Sequence, residues 1–270
     1  MAITTLDGMV AGMQPPISFL KVGATMEAIG RQHTFFYVGG SPGAATANAT
    51  GIGGAAITTN TGVPTTGHFP FVNSNNTYLA RMEATCSVAG RLTLCDRLWH
   101  NSGIAVTTTT AQTVTSAAWP ARDADGATDG RGVMIALEVS TITGNAGATA
   151  PSISYYDSNN GGPYTASIAA FPITAAVGTF QPFALAAGSV GVRSIASVTL
   201  TTSLVSGAVH LVAYREIASV NIAVANVGAM QDAIALGFPR LYNNSSLFLV
   251  WQPTATTACT PMGSITYAQG

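Results

Sequence analysis

The stretch Tyr78-Leu79-Ala80-Arg81-Met82-Glu83-Ala84-Thr85-Cys86-Ser87-Val88-Ala89-Gly90-Arg91-Leu92-Thr93-Leu94-Cys95-Asp96-Arg97-Leu98-Trp99 decides the fold class. Its first run sets Tyr78, Ala80, Met82, Ala84, Cys86 and Val88 against Leu79, Arg81, Glu83, Thr85 and Ser87. After Ala89-Gly90, Leu92, Leu94, Asp96 and Leu98 alternate with Arg91, Thr93, Cys95, Arg97 and Trp99. Successive side chains of a strand point to opposite faces, so this period marks two strands, and the glycine between them reads as a hairpin turn. A two-residue loop at Ala89-Gly90 pairs Ala84 with Cys95 and sets Glu83 opposite Asp96. A three-residue loop from Val88 to Gly90 pairs Leu92 with Cys86 and Leu94 with Ala84, which matches the apolar faces better. Neither register sets Cys86 and Cys95 for a disulfide.

Further strands are expected on both sides of this stretch. Thr34 to Val38 concentrates aromatic and β-branched residues and stops at Gly39-Gly40. Val133 to Ile142, Ser152 to Tyr156, Tyr164 to Ile168, Val192 to Thr202, Ala208 to Ile217 and Ser246 to Trp251 read the same way. Val106 to Thr115 and Phe180 to Leu185 are weaker members of the set. Asp157 to Gly162 supplies turn residues in series between two of these runs. One helix is expected over Met230, Ala233, Ile234 and Phe238, with Gly237 and Pro239 limiting it.

About ten short strands with few helices imply a mainly β chain. The expected architecture is an antiparallel β-sandwich, of which a jelly roll is one form. Residues 1–32 mix helical and loop signals and are expected to be an N-terminal arm or docking segment, or equally an ordinary first strand with ragged flanks. Residues 33–270 are expected to form the sandwich, with a long Gly-, Ala- and Thr-rich loop at 39–67 that is surface-exposed or covered by a partner.

The composition excludes several functions. Only 8% of the 270 residues are charged, the net charge is −1, and Lys21 is the only lysine. A phosphate backbone needs clustered Lys and Arg, so nucleic acid is not an expected partner. No run of about 20 apolar residues spans a bilayer. The N-terminus has no basic segment leading into an apolar run, so no secretory signal is expected. Cys86, Cys95 and Cys259 are an odd, sparse set and do not form a disulfide framework. A surface with so little charge is poorly protected from self-association, which favours burial in an oligomer or lattice.

Candidate chemistry is sparse. Asp123, Asp125 and Asp129 alternate on one loop and could offer oxygens to Ca²⁺, or form a plain solvated turn. His33, His68, His100 and His210 show no zinc spacing, and His210 within an apolar strand reads as a hydrogen-bonded structural residue. Asp96 with His100, or Glu83 with Asp96, are the best catalytic pairs, but no nucleophile elbow accompanies them. Tyr155, Tyr156, Tyr164 and Trp119 could make a sugar-stacking surface. No catalytic, cofactor or metal residues are therefore assigned, and no enzyme activity is expected.

Cys86-Ser87-Val88-Ala89-Gly90-Arg91-Leu92-Thr93-Leu94-Cys95-Asp96-Arg97-Leu98-Trp99-His100, the Ala/Gly/Thr-rich loops and the rare charges together resemble virion structural proteins of tailed bacteriophages, of the capsid or decoration type. The resemblance covers a small part of the chain and transfers no site residue. It implies a self-assembling homo-oligomeric component of the virion, assembled in the host cytoplasm, whose partners are its own copies and other virion proteins. A carbohydrate-binding β-sandwich is the alternative, with a glycan as partner; a hydrolase is the third reading.

Overall fold

The computed structural model describes residues 3–23, 26, 28–47, 49–58, 67–70, 76–144, 147 and 149–270. Residues 48 and 59–66 of the expected loop, and 24, 25 and 27 of the expected N-terminal segment, lie outside them. The chain is mainly β and its strand pairs are antiparallel. In order, the strands are β1 (Ile17–Lys21), β2 (His33–Thr34), β3 (Gly40–Ser41), β4 (Ala55–Ala56), β5 (Thr77–Thr85) and β6 (Gly90–His100). Then come β7 (Gln112–Thr113), β8 (Met134–Thr141), β9 (Ser152–Asp157), β10 (Tyr164–Ser167), β11 (Phe180–Pro182) and β12 (Val192–Thr199). Last are β13 (Ala208–Ile222), β14 (Ala229–Asp232), β15 (Arg240–Leu241), β16 (Leu247–Pro253) and β17 (Met262–Gln269). Among the described residues, two short helices, α1 (Leu6–Ala11) and α2 (Ala233–Leu236), accompany them.

The chain divides into two compact units, each with its own hydrophobic core. The first comprises Met1–Thr46, Thr58–Asp96 and Glu216–Gly270; the second comprises Ala47–Ile57 and Arg97–Arg215. Strands β6 and β13 contribute residues to both.

In the first unit, one sheet runs β14-β5-β17-β1, with β3 and β15 added at its margins, and the other runs β13-β6-β16-β2. Counted in chain order as first to eighth, β1, β2, β5, β6, β13, β14, β16 and β17 stand 1-8-3-6 and 2-7-4-5. This is jelly-roll order. The core holds Leu79, Met82, Ala84 and Ile265 from one sheet against Leu92, Leu94, Leu249 and Trp251 from the other.

The expected hairpin is absent. β5 pairs with β17 and β14, whereas β6 pairs with β16, so Cys86–Gly90 is a crossing from sheet to sheet. Both proposed registers fall with it. The alternation was a true sign of one buried face, but both faces look into the same core from opposite sides. β5 also carries a bulge: Thr266 faces Arg81 while Tyr267 faces Leu79. The extra residue lets Leu79 and Met82 both reach the core, and turns Ala80 outward against Met9, Ala233 and Ala268.

In the second unit, β7-β12-β9-β10 and β11-β8-β13-β6 form the two sheets, and β4 pairs with β6. Ile135, Leu137 and Val139 of β8 fill the core together with Ile153, Tyr155, Ile195 and Val198. β9 and β10 form the expected hairpin, Tyr155 facing Tyr164. Asp157 closes its turn by accepting the Asn159 and Gly161 N–H groups. Gly54 serves close packing: at φ +66, a Cβ there would lie 2.3 Å from the Trp99 ring. Part of the 39–67 segment is therefore seated against its own chain.

Other expectations are corrected. Thr34 to Val38 is not one strand, since only His33–Thr34 pairs. Met230 lies in β14, and the helix is confined to four residues capped by Asp232 and by left-handed Gly237.

Candidate interaction surface

The outer face of the first unit's larger sheet is covered at one end and open at the other. α1 and α2 close over Ala80 through Met9 and Ala233. The N-cap Thr5 accepts the Gly8 N–H, so Met9 points inward while Leu6 and Val10 stay exposed. Among the described residues, the sheet beyond the helices keeps a row of apolar side chains half exposed. Leu20 faces Met262, Met262 faces Thr85, and Met230 faces Glu83. Leu20, Met262 and Met230 are 47%, 46% and 54% exposed. Thr85, Gly228, Met230 and Met262 line a shallow cavity of about 250 Å³ there. Three large apolar side chains presented together are a surface that gains free energy when covered.

The charges on this face are internally matched. Glu83 accepts the Ser264 hydroxyl at 2.7 Å and pairs with Arg81, and these two contacts hold its carboxyl below the usual range. Lys21, at the end of β1, is buried: its ammonium donates to the Val38 and Pro42 carbonyls, and desolvation lowers it to about 8.

The catalytic candidates are taken up by structure. Asp96 is fully buried and accepts the Ser245 hydroxyl and the Ser246 N–H. Its proposed partner Glu83 lies in the other sheet. His100 is 1% exposed, and its Nδ1 lies 3.2 Å from an Arg97 Nη. A guanidinium only donates, so this Nδ1 accepts and the proton sits on Nε2. Arg97 meets Glu138 at 2.5 Å, with both side chains fully buried. His210 Nδ1 donates to the Asn101 carbonyl, and its Nε2 accepts from Ser140, each at 2.6 Å. Burial and the Arg97 charge depress His100 to about 3, and burial lowers His210 as well. Neither Asp96 nor His100 lines any of the three described cavities.

The acidic loop closes on itself. Asp123 is buried and accepts the N–H groups of Asp125, Ala127, Gly130 and Arg131. Asp125 turns to Arg131, and Asp129 lies 3.8 Å from Arg193. Among the described residues, no three His, Cys, Asp or Glu side chains cluster in a way that could hold a metal ion. The aromatic set is split. Trp119 is buried against Trp99, and Tyr155 is buried with its hydroxyl on Ser189. Tyr156 faces the other side of β9, where it lines a cavity of about 390 Å³ with Asn160, Arg193 and Ser194.

Sequence reasoning missed β17 and gave β1 only as one of two equal readings of residues 1–32; these two strands help build the exposed face. The signal was present in Ile265 and Tyr267, and in Ile17 and Phe19, at period two. It also missed the neighbours Cys86 and Cys259, whose proximity only the β5–β17 pairing reveals.

No family model matches the chain, and no curated protein matches it. Among solved structures, it is similar to the infectious bursal disease virus VP2 subviral particle. That match has 9% identity, covers 96% of this chain and 82% of the other, and has a TM-score of 0.22. A structure of the Gt strain of the same virus gives 8% identity, 95% and 82% coverage and a TM-score of 0.20. The likeness is weak and leaves the fold to rest on the strand order above.

Proposed function

We propose that this chain is a structural component of a virus particle, assembling with its own copies and with other virion proteins on or in the capsid. The carrying observation is the open sheet face with Leu20, Met230 and Met262 exposed on a jelly-roll unit. Jelly rolls serve viral capsids and lectins alike, so the surface has to discriminate. This one offers methionine, leucine, serine and threonine with its few charges already paired. Such a surface suits a second copy of itself better than a charged partner. Closed symmetry repeats a modest contact into a stable shell or ring. The exposed Leu6 and Val10 support a docking role for residues 1–32.

The tailed-bacteriophage origin, and the choice between capsid and decoration roles, rest on the Cys86–His100 block and the composition. Assembly in the host cytoplasm accords with three free thiols. The test is sedimentation of the purified chain beside a Leu20→Glu, Met262→Glu variant. Large assemblies for the parent and a folded, smaller species for the variant are expected. A parent that stays monomeric at high concentration contradicts the reading.

One observation favours glycan recognition as a second reading. The Tyr156 cavity sets an exposed ring beside an amide and a guanidinium. Binding on a glycan array that Tyr156→Ala abolishes would support it; an array with no binding would remove it.

A further inference from the structure

We propose that Cys86 and Cys259 are a redox-active pair that closes to a disulfide when a hydroperoxide oxidises it. The site is independent of the particle reading. Cys86 directly follows β5, and Cys259 lies three residues before β17. Met262 faces Thr85, and just past that pair Cys86 and Cys259 belong to one core cluster. The Cys259 thiol donates to the Cys86 sulfur. The Ser87 hydroxyl and the backbone N–H groups of Val88 and Thr260 converge on the same sulfur. The Thr260 N–H also reaches Ser87 Oγ, at 3.1 Å.

Polar groups gathered at the Cys86 sulfur, the Cys259 thiol first among them, favour its thiolate, which is the reactive form. They outweigh desolvation and pull Cys86 down to about 6, while Cys259 is pushed up and keeps its proton. Both cysteines are buried, while Ser87 and residues 256–258, their neighbours in the chain, are exposed. Cys95 is placed differently, on the opposite sheet, cross-strand from Phe248.

The chemistry balances in two steps. The Cys86 thiolate attacks the hydroperoxide, the O–O bond breaks, and the departing oxygen takes a proton to become an alcohol, or water if the oxidant is hydrogen peroxide. Cys86 is then a sulfenic acid. The Cys259 sulfur attacks it, the S–S bond forms, the S–O bond breaks, and the hydroxide leaves as water with the Cys259 proton. The two thiols give up two electrons to the peroxide. The bond ties the β5–β6 connection to the β16–β17 connection and encloses most of the chain.

The test is peptide mapping of the reduced, folded protein after stoichiometric hydrogen peroxide at pH 7, with free thiols alkylated. The expected result is a Cys86–Cys259 linkage with Cys95 alkylated, and a Tm raised by about 5 °C or more that reductant reverses. Cys95→Ser should behave as the parent. Cys259→Ser should leave a sulfenic acid on Cys86 that dimedone captures. If Cys259→Ser does not fold, the parent and Cys95→Ser maps still decide. Cys86 and Cys259 both alkylated after peroxide, or a linkage through Cys95, would overturn the proposal.

Discussion

At the scale of single residues, the strongest commitments are buried charges. Arg97 and Glu138 are both fully buried, so each depends on the other. Removing one partner of a buried pair strands a charge, and Arg97→Met is expected to cost about 3–5 kcal/mol in urea unfolding. Replacing both with apolar residues of similar volume should recover much of that loss. His100 gives a pH signature. Its folded value is near 3 against an ordinary 6.5, so between those values the unfolded chain binds more protons. Stability therefore falls as pH drops below about 6.5 toward 3, and is insensitive to this group above 7. His100→Gln should flatten that slope in denaturant titrations across the same window. None of this was legible in the sequence. His210 could be read as structural from its apolar strand, but the Ser245 and Ser246 partners of Asp96 and the Glu138 partner of Arg97 come from far along the chain.

At the scale of elements, the strands were the most readable feature. β8, β9, β10, β12, β13 and β16 fall where β-branched and alternating residues predicted them. Pairing was readable for the β9–β10 hairpin, where turn residues run in series, but not for β5 and β6. A buried face looks the same whether its strand belongs to a hairpin or to one wall of a sandwich, which is why β5 and β6 were wrongly joined. The bulge on β5 hid a second fact, since one extra residue moves Leu79 to the core side. β17 tests this arrangement. A Cβ on Gly263 would lie 2.0 Å from the Glu83 carbonyl oxygen and 2.8 Å from Phe19. Gly263→Ala is expected to destabilise by about 1–3 kcal/mol, read by thermal unfolding. The same substitution at Gly228, which has open space around it, should be nearly silent.

At the scale of the molecule, mainly β antiparallel architecture was legible from composition and period. The two cores were not, because β6 and β13 each supply residues to both and no linker marks a boundary. The exposed face was also hidden, since a sequence shows apolar residues but not which of them remain uncovered. Covering Leu20, Met230 and Met262 is the step on which the proposed assembly turns. Charges placed there should leave the chain folded at a cost of about 1 kcal/mol, because the side chains are half exposed but Leu20 faces Met262 across the strands and two glutamates there repel. They should nonetheless block association.

Electron microscopy of the purified native protein tests that account most directly. Closed, symmetric particles or rings with the β14-β5-β17-β1 face buried between copies are the predicted result. Isolated 27.4 kDa chains with that face open to solvent at every concentration would contradict it.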